Sequence, residues 1–197
     1  MAYPTIDKPY GLKPVNLIGG QVFAGSTRLM AIASAEGTSI FFGDAVKLSG
    51  GYITRENADS DMVVCGIFMG CTYTDPNSNQ KVFKQYFPAG TVAADIKAYV
   101  CDDPDALFKV AVVSSTTVIS GLTQTAVGLN APLVNNTGST ITGDSLIALS
   151  TSAATNGALP VRIVDVVPDT ANSLGSYTEV IVKWNFGMHQ YYSAVGA

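Results

Sequence analysis

The stretch Tyr177-Thr178-Glu179-Val180-Ile181-Val182-Lys183-Trp184-Asn185-Phe186 decides the fold class. Successive side chains of an extended chain point to opposite faces. Thr178, Val180, Val182, Trp184 and Phe186 therefore share one face, while Glu179, Ile181, Lys183 and Asn185 share the other. The first set is apolar but for one threonine, so the segment reads as a half-buried β-strand with Trp184 in a core. Outward from it, short apolar runs recur at residues 29–33, 39–42, 45–48, 62–73, 81–87, 96–101, 107–113, 146–149 and 160–167, separated by Gly, Asn and Asp. That punctuation suits many short strands. Ser49-Gly50-Gly51-Tyr52 reads as a hairpin turn, because two glycines accept positive φ. Residues 75–79 and 102–105 are turns by composition. Only residues 124–133 hint at a helix, and Gly128 weakens that hint. The expected fold is mainly β, a β-barrel or β-sandwich with very little helix.

Composition narrows the function. Of 197 residues, 47% are apolar and 13% charged, against about 25% charged in ordinary soluble domains. Residues 110–161 hold a single charge, Asp144, among Ser, Thr, Asn, Gly and short apolar runs. Enzyme clefts and nucleic-acid grooves need titratable or basic groups, and this part of the chain offers almost none. An assembly surface is the reading that the composition favours. The chain divides into an extended N-terminal arm, residues 1–27, and a β-rich domain, residues 28–197, in which residues 113–158 form a low-charge insertion or subdomain.

The arm is read from its prolines and its apolar anchors. Pro4, Pro9 and Pro14 recur at a five-residue interval, with Tyr3, Tyr10, Leu12, Leu17 and Ile18 among them. Proline bars a helix and biases its predecessor toward extended geometry. An extended segment studded with large apolar side chains lies on something, either its own domain or a neighbour's sheet edge.

Several classes of chemistry find little support. The net charge of −4 and the scattered Lys and Arg argue against nucleic acid and anionic membrane as partners. Every apolar run is broken too soon to span a bilayer, and the first residues lack the basic start and apolar stretch of a signal peptide. Cys65, Cys71 and Cys101 are read as reduced core cysteines, since their spacing suits neither zinc nor a redox pair. Gly143-Asp144-Ser145-Leu146 spells the signature of the GDSL hydrolases. The one histidine, His189, has Phe186 three residues before it where that family has an orienting Asp, and a serine nucleophile needs an oriented base. Asp59-Ser60-Asp61 and Asp102-Asp103-Pro104-Asp105 lack the further oxygen ligands of a calcium site and read as solvated turns. The sequence is expected to be no enzyme, with no catalytic residue, cofactor or metal.

Three segments carry a resemblance: residues 11–20, Gly-Leu-Lys-Pro-Val-Asn-Leu-Ile-Gly-Gly; residues 127–134, Val-Gly-Leu-Asn-Ala-Pro-Leu-Val; and Thr142-Gly143-Asp144-Ser145 leading to residues 159–164. In these the chain resembles the decoration or cement proteins of tailed-bacteriophage heads. The resemblance implies a structural virion protein made in the bacterial cytoplasm that sits on the capsid exterior. It implies the major capsid protein and further copies of itself, most simply a homotrimer, as partners. On that reading Tyr3, Tyr10, Leu12, Leu17 and Ile18 form a capsid-binding arm that adds to a sheet edge and fills apolar pockets. Two other readings stand beside it. A tail, neck or adaptor protein of the virion would share this composition, and a glycan-binding β-sandwich would use Tyr191-Tyr192, Tyr73 or Trp184 as a stacking platform.

Overall fold

A computed structural model describes residues 6–172 and 175–193. The described residues form fourteen strands: β1 (Lys13–Leu17), β2 (Arg28–Ala31), β3 (Ala45–Ser49), β4 (Tyr52–Arg55), β5 (Gly66–Thr74), β6 (Lys81–Lys84), β7 (Lys97–Cys101), β8 (Ala106–Ser115), β9 (Val118–Ile119), β10 (Asn130–Ala131), β11 (Leu133–Val134), β12 (Ala148–Ser150), β13 (Val161–Val166) and β14 (Glu179–Trp184). Helical structure among them is confined to single 3-10 turns at Gln124–Ala126, Pro168–Thr170 and Gln190–Tyr192. No helix among them is long and apolar enough to cross a membrane.

Two sheets pack together. The larger, of eight strands, runs β10-β13-β14-β8-β12-β11, with β1 and β9 also paired to β8. The smaller, of six, runs β2-β7-β5-β3-β4, with β6 on β5. Strand β8 is the spine of the larger sheet. Its Phe108 and Lys109 pair with Val182 and Ile181 of β14 on one edge and with Pro14 and Lys13 of β1 on the other. Further along, Val112 and Val113 pair in parallel with Leu149 and Ser150 of β12.

The alternation of β14 is realised in packing. Val180, Val182 and Trp184 are buried, and the Trp184 ring tilts against Phe108 at 5.8 Å. Around them gather Phe108, Val110 and Val112 of β8, Val161 and Ile163 of β13, and Leu133, Ile147 and Leu149 from the low-charge stretch. Ala45, Ile67 and Cys101 of the smaller sheet close the other side. The expected choice between barrel and sandwich falls on a sandwich-like pair of sheets. A second cluster, including Val46, Ile53, Phe68, Cys71, Tyr73, Phe87 and Val100, fills the opposite face of the smaller sheet. That sheet curls until its edges β2 and β4 touch, but no ladder joins them, so no barrel closes. Gly70, at φ 129° in the β5 bulge, makes one such bend possible, because a Cβ there would meet the Lys84 carbonyl at 3.2 Å and the Phe83 ring at 3.3 Å.

Several expectations change. Phe186 is 84% exposed instead of sharing the core with Trp184. The strand ends at Trp184, where the Asn185 amide donates to the Gly157 and Leu159 carbonyls and turns the chain. The helix hinted at over residues 124–133 is one 3-10 turn followed by β10 and β11, with Gly128 at φ 91° between them. The hairpin at Gly50-Gly51 is present, with φ of 56° and 84° and Ser49 paired to Tyr52. Residues 113–158 supply β9 to β12 and core side chains. Leu122, Ala126, Ala131, Leu133, Ile147 and Leu149 of this stretch lie in the shared core.

Candidate functional site

The arm is partly built into the domain. Leu12 is fully buried in the shared core, and residues 13–17 form β1 on the edge of β8. Tyr10 donates its hydroxyl to Glu179 Oε1, which Lys109 Nζ also approaches at 3.2 Å, and the Lys13 ammonium lies 4.6 Å from the Tyr10 ring centre. Burial and that carboxylate push the Tyr10 hydroxyl far above its ordinary pKa, so it stays a donor. Leu17 packs on the core from its border. Of the expected capsid-binding residues, Tyr10, Leu12 and Leu17 thus anchor the segment to its own sheet, Ile18 is 53% exposed, and Tyr3 lies outside the described residues. The prolines made the segment extended, and the free edge of β8 gave it a partner within the chain.

Several of the exposed apolar side chains fall on two surfaces. The first is the face of the smaller sheet that looks into the shared core through Ile67 and Cys101. Along β7 this face continues from Cys101 to Tyr99 and Lys97, beyond the cover of the larger sheet. Leu29 stands opposite Tyr99, Thr72 opposite Lys97, and Phe83 opposite Thr72. Phe83 is 67% exposed and Leu29 55%, and the Phe83 and Tyr99 rings lie 5.3 Å apart. The same sheet face is core at one end and bare at the other. The sequence carried a sign of this, since Phe83 alternates in phase with Lys81 on an outward face.

The second surface is a groove of about 240 Å³ at the end of β14. Ile18, Val164, Trp184, Phe186 and Tyr192 give it apolar walls, and Arg162 and Lys183 stand at its rim. Phe186 stacks on Tyr192 at 6.4 Å. Lys183 is held by Asp105 at 2.9 Å and Arg162 donates to Asn130, so neither cation is idle.

The reactive groups are committed to structure. Ser145 is fully buried, its Oγ accepts the Ile147 N–H, and Asp44 is its acidic neighbour. Asp144 Oδ1 accepts from Gln85. The Gly-Asp-Ser-Leu match is therefore a turn packed under Gly11 and Phe42. Asp44 is buried 3.1 Å from Arg55 Nε and accepts the Phe41 N–H, yet burial outweighs both and raises its carboxyl above the usual range. All three cysteines are free and buried. Burial pushes Cys71 up to about 12 and Cys101 up to about 11, so neither is a thiolate nucleophile at neutral pH. Asp102 pairs with Arg28 at 3.0 Å, Asp105 with Lys183, and Asp103 Oδ1 accepts the Asp105 N–H. Among the described residues no three His, Cys, Asp or Glu are grouped to hold a metal ion. Trp184 and Tyr73 are buried and give no sugar platform, whereas Tyr191 and Tyr192 are 42% and 45% exposed.

No protein-family model matches the chain, and no curated protein or solved structure does.

Proposed function

We propose that this is a structural virion protein, a decoration protein of a tailed-phage head that binds the capsid exterior as an oligomer. The observation that carries the reading is the bare end of the smaller sheet. Exposed Leu29 and Phe83, with half-buried Tyr99 beside them, carry a core face out toward solvent, and exposed apolar side chains grouped in this way suit contact with another protein. Among the described residues the serine of hydrolase type, the cysteines and Asp102 are each engaged in packing or pairing. Docking falls to the exposed surfaces, Ile18 with the groove beside it and the Leu29, Phe83 and Tyr99 face. Repeated weak contacts around a symmetric site then give avidity without a single strong one.

The test is cosedimentation with expanded phage heads stripped of decoration, alongside mass by light scattering. A stable trimer that pellets with heads, and a Phe83→Glu variant that stays folded but fails in either respect, is the expected result. A monomer that ignores heads would remove the proposal, and rings of six or twelve would move it to the neck or tail.

A further inference from the structure

Beyond β14 the chain leaves the larger sheet and crosses to the smaller one as a strap, residues 188–192. Met188, Gln190 and Tyr191 each hydrogen-bond to groups outside it. The Met188 carbonyl accepts the Val64 N–H at 2.8 Å and the Gln190 N–H donates to the Val64 carbonyl at 2.7 Å. The Gln190 side chain accepts from the Leu48 N–H at 2.9 Å and donates to the Leu48 carbonyl at 3.1 Å, as a neighbouring strand's backbone would. Tyr191 donates its hydroxyl to Asp102 at 2.6 Å, and Asp102 is held in turn by Arg28. Cys65 lies beneath, its sulfur 3.7 Å from the Tyr191 oxygen.

His189 is the one strap residue with no exposure. Its ring packs on Tyr191 at 4.9 Å and on Tyr192 at 6.1 Å. Its Nδ1 accepts the Tyr191 N–H at 3.2 Å and so caps the 3-10 turn of the strap. An imidazole nitrogen that accepts is unprotonated, which puts the neutral ring's proton on Nε2. The second proton must go to Nδ1. Protonation therefore breaks the cap bond itself and sets a cation in a dry site.

We propose that residues 188–192 form an acid-released latch, in which protonation of His189 at Nδ1 frees the strap from Val64, Leu48 and Asp102 while the two sheets remain folded. The groups that face it from each packed element are Asp102 and Asp103 after β7, Lys183 on β14, Cys65 before β5 and Arg28 on β2, with Lys47 and Glu56 beside Gln190. Asp102 is occupied by Arg28 and the Tyr191 hydroxyl, and Lys183 opposes a second cation. Burial accordingly holds the ring below its ordinary pKa in spite of the two aspartates and of the Cys65 backbone. Since unfolded histidine takes its proton near pH 6.5, the latch is fully closed above that range and loosens as the pH falls below it.

The experiment labels the protein with 4,4′-dithiodipyridine between pH 7.5 and 4.5 and maps the modified peptides. Cys65 labelling, taken relative to free cysteine at the same pH because only the thiolate reacts, is expected to rise at least tenfold across that span, while Cys71 and Cys101 stay protected and far-UV circular dichroism stays constant. In His189→Gln the pH dependence of that ratio should vanish. Three results would overturn the latch: Cys65 protected at every pH, all three thiols opening together, or a wild-type pH profile in His189→Gln. Should that variant fail to fold, the contrast between Cys65 and Cys71 in the wild-type protein decides alone.

Discussion

Arg55 Nε stands 3.1 Å from Asp44 Oδ2 with both side chains inside the protein, and Arg55 Nη2 donates onward to the Asn136 carbonyl at 2.7 Å. The guanidinium thus ties the smaller sheet to the low-charge stretch. Removing one member of a buried pair strands the other, at a cost of about 3–5 kcal/mol. Arg55→Ala should lose that much at pH 7. Its stranded carboxyl titrates higher folded than unfolded, so the folded state binds the extra proton and stability returns as the pH is lowered toward 5. Urea unfolding at the two pH values checks this, and an equal loss at both would contradict it.

Leu12 and Ile18 were read as equivalent docking residues and should separate in stability. Leu12 is fully buried, so Leu12→Ala should cost about 2–5 kcal/mol. Ile18 is 53% exposed, and Ile18→Ala should fall within about 0.5 kcal/mol of wild type. Chemical denaturation measures both. A neutral Leu12→Ala would mean that the segment leaves its own domain.

Gly66 leaves no room for a methyl group. A Cβ there would come within 2.2 Å of the Cys101 carbonyl oxygen, which is backbone of the paired strand and cannot step aside. Gly66→Ala should therefore prevent accumulation of folded protein. Gly19→Ala, with nothing within 4 Å, should express and melt as wild type. Soluble yield and thermal melting make the comparison.

Native protein at pH 8 should react slowly with Ellman's reagent, because burial keeps Cys65, Cys71 and Cys101 as thiols. In 6 M guanidinium, about the strength that unfolds even very stable domains, all three should react at once. Rapid labelling of Cys71 or Cys101 in the native state would refute the packing around β5 and β7.

The β character was open to reading because side-chain alternation is a local signal, clearest from Thr178 to Trp184. Phe186 escaped because the chain turns on the Asn185 amide, whose partners Gly157 and Leu159 are distant in sequence. The arm was legible as extended, since Pro9 and Pro14 act on their neighbours. Its partner was not, because the β1 to β8 ladder is made of backbone groups that every residue shares. Ser145 stands in a four-letter hydrolase match that lacks an oriented base, and it lies buried in a turn. The bare end of the smaller sheet was half-legible: Phe83 on a lysine-bearing face was visible, but not that Tyr99 and Leu29 lie beside it.

The position of β8 also governs when the molecule can fold. Its two edges wait for partners from opposite directions along the chain: Lys13 and Pro14 are already made when Phe108 and Lys109 leave the ribosome, while Ile181 and Val182 are not. A nascent chain must therefore carry a long apolar strand with one edge unpaired through most of the synthesis that follows. Pairings so far apart in sequence are slow to form, and exposed strand edges invite association in the meantime. Expression should accordingly respond to temperature and to chaperone supply more sharply than the stability of the finished fold would suggest.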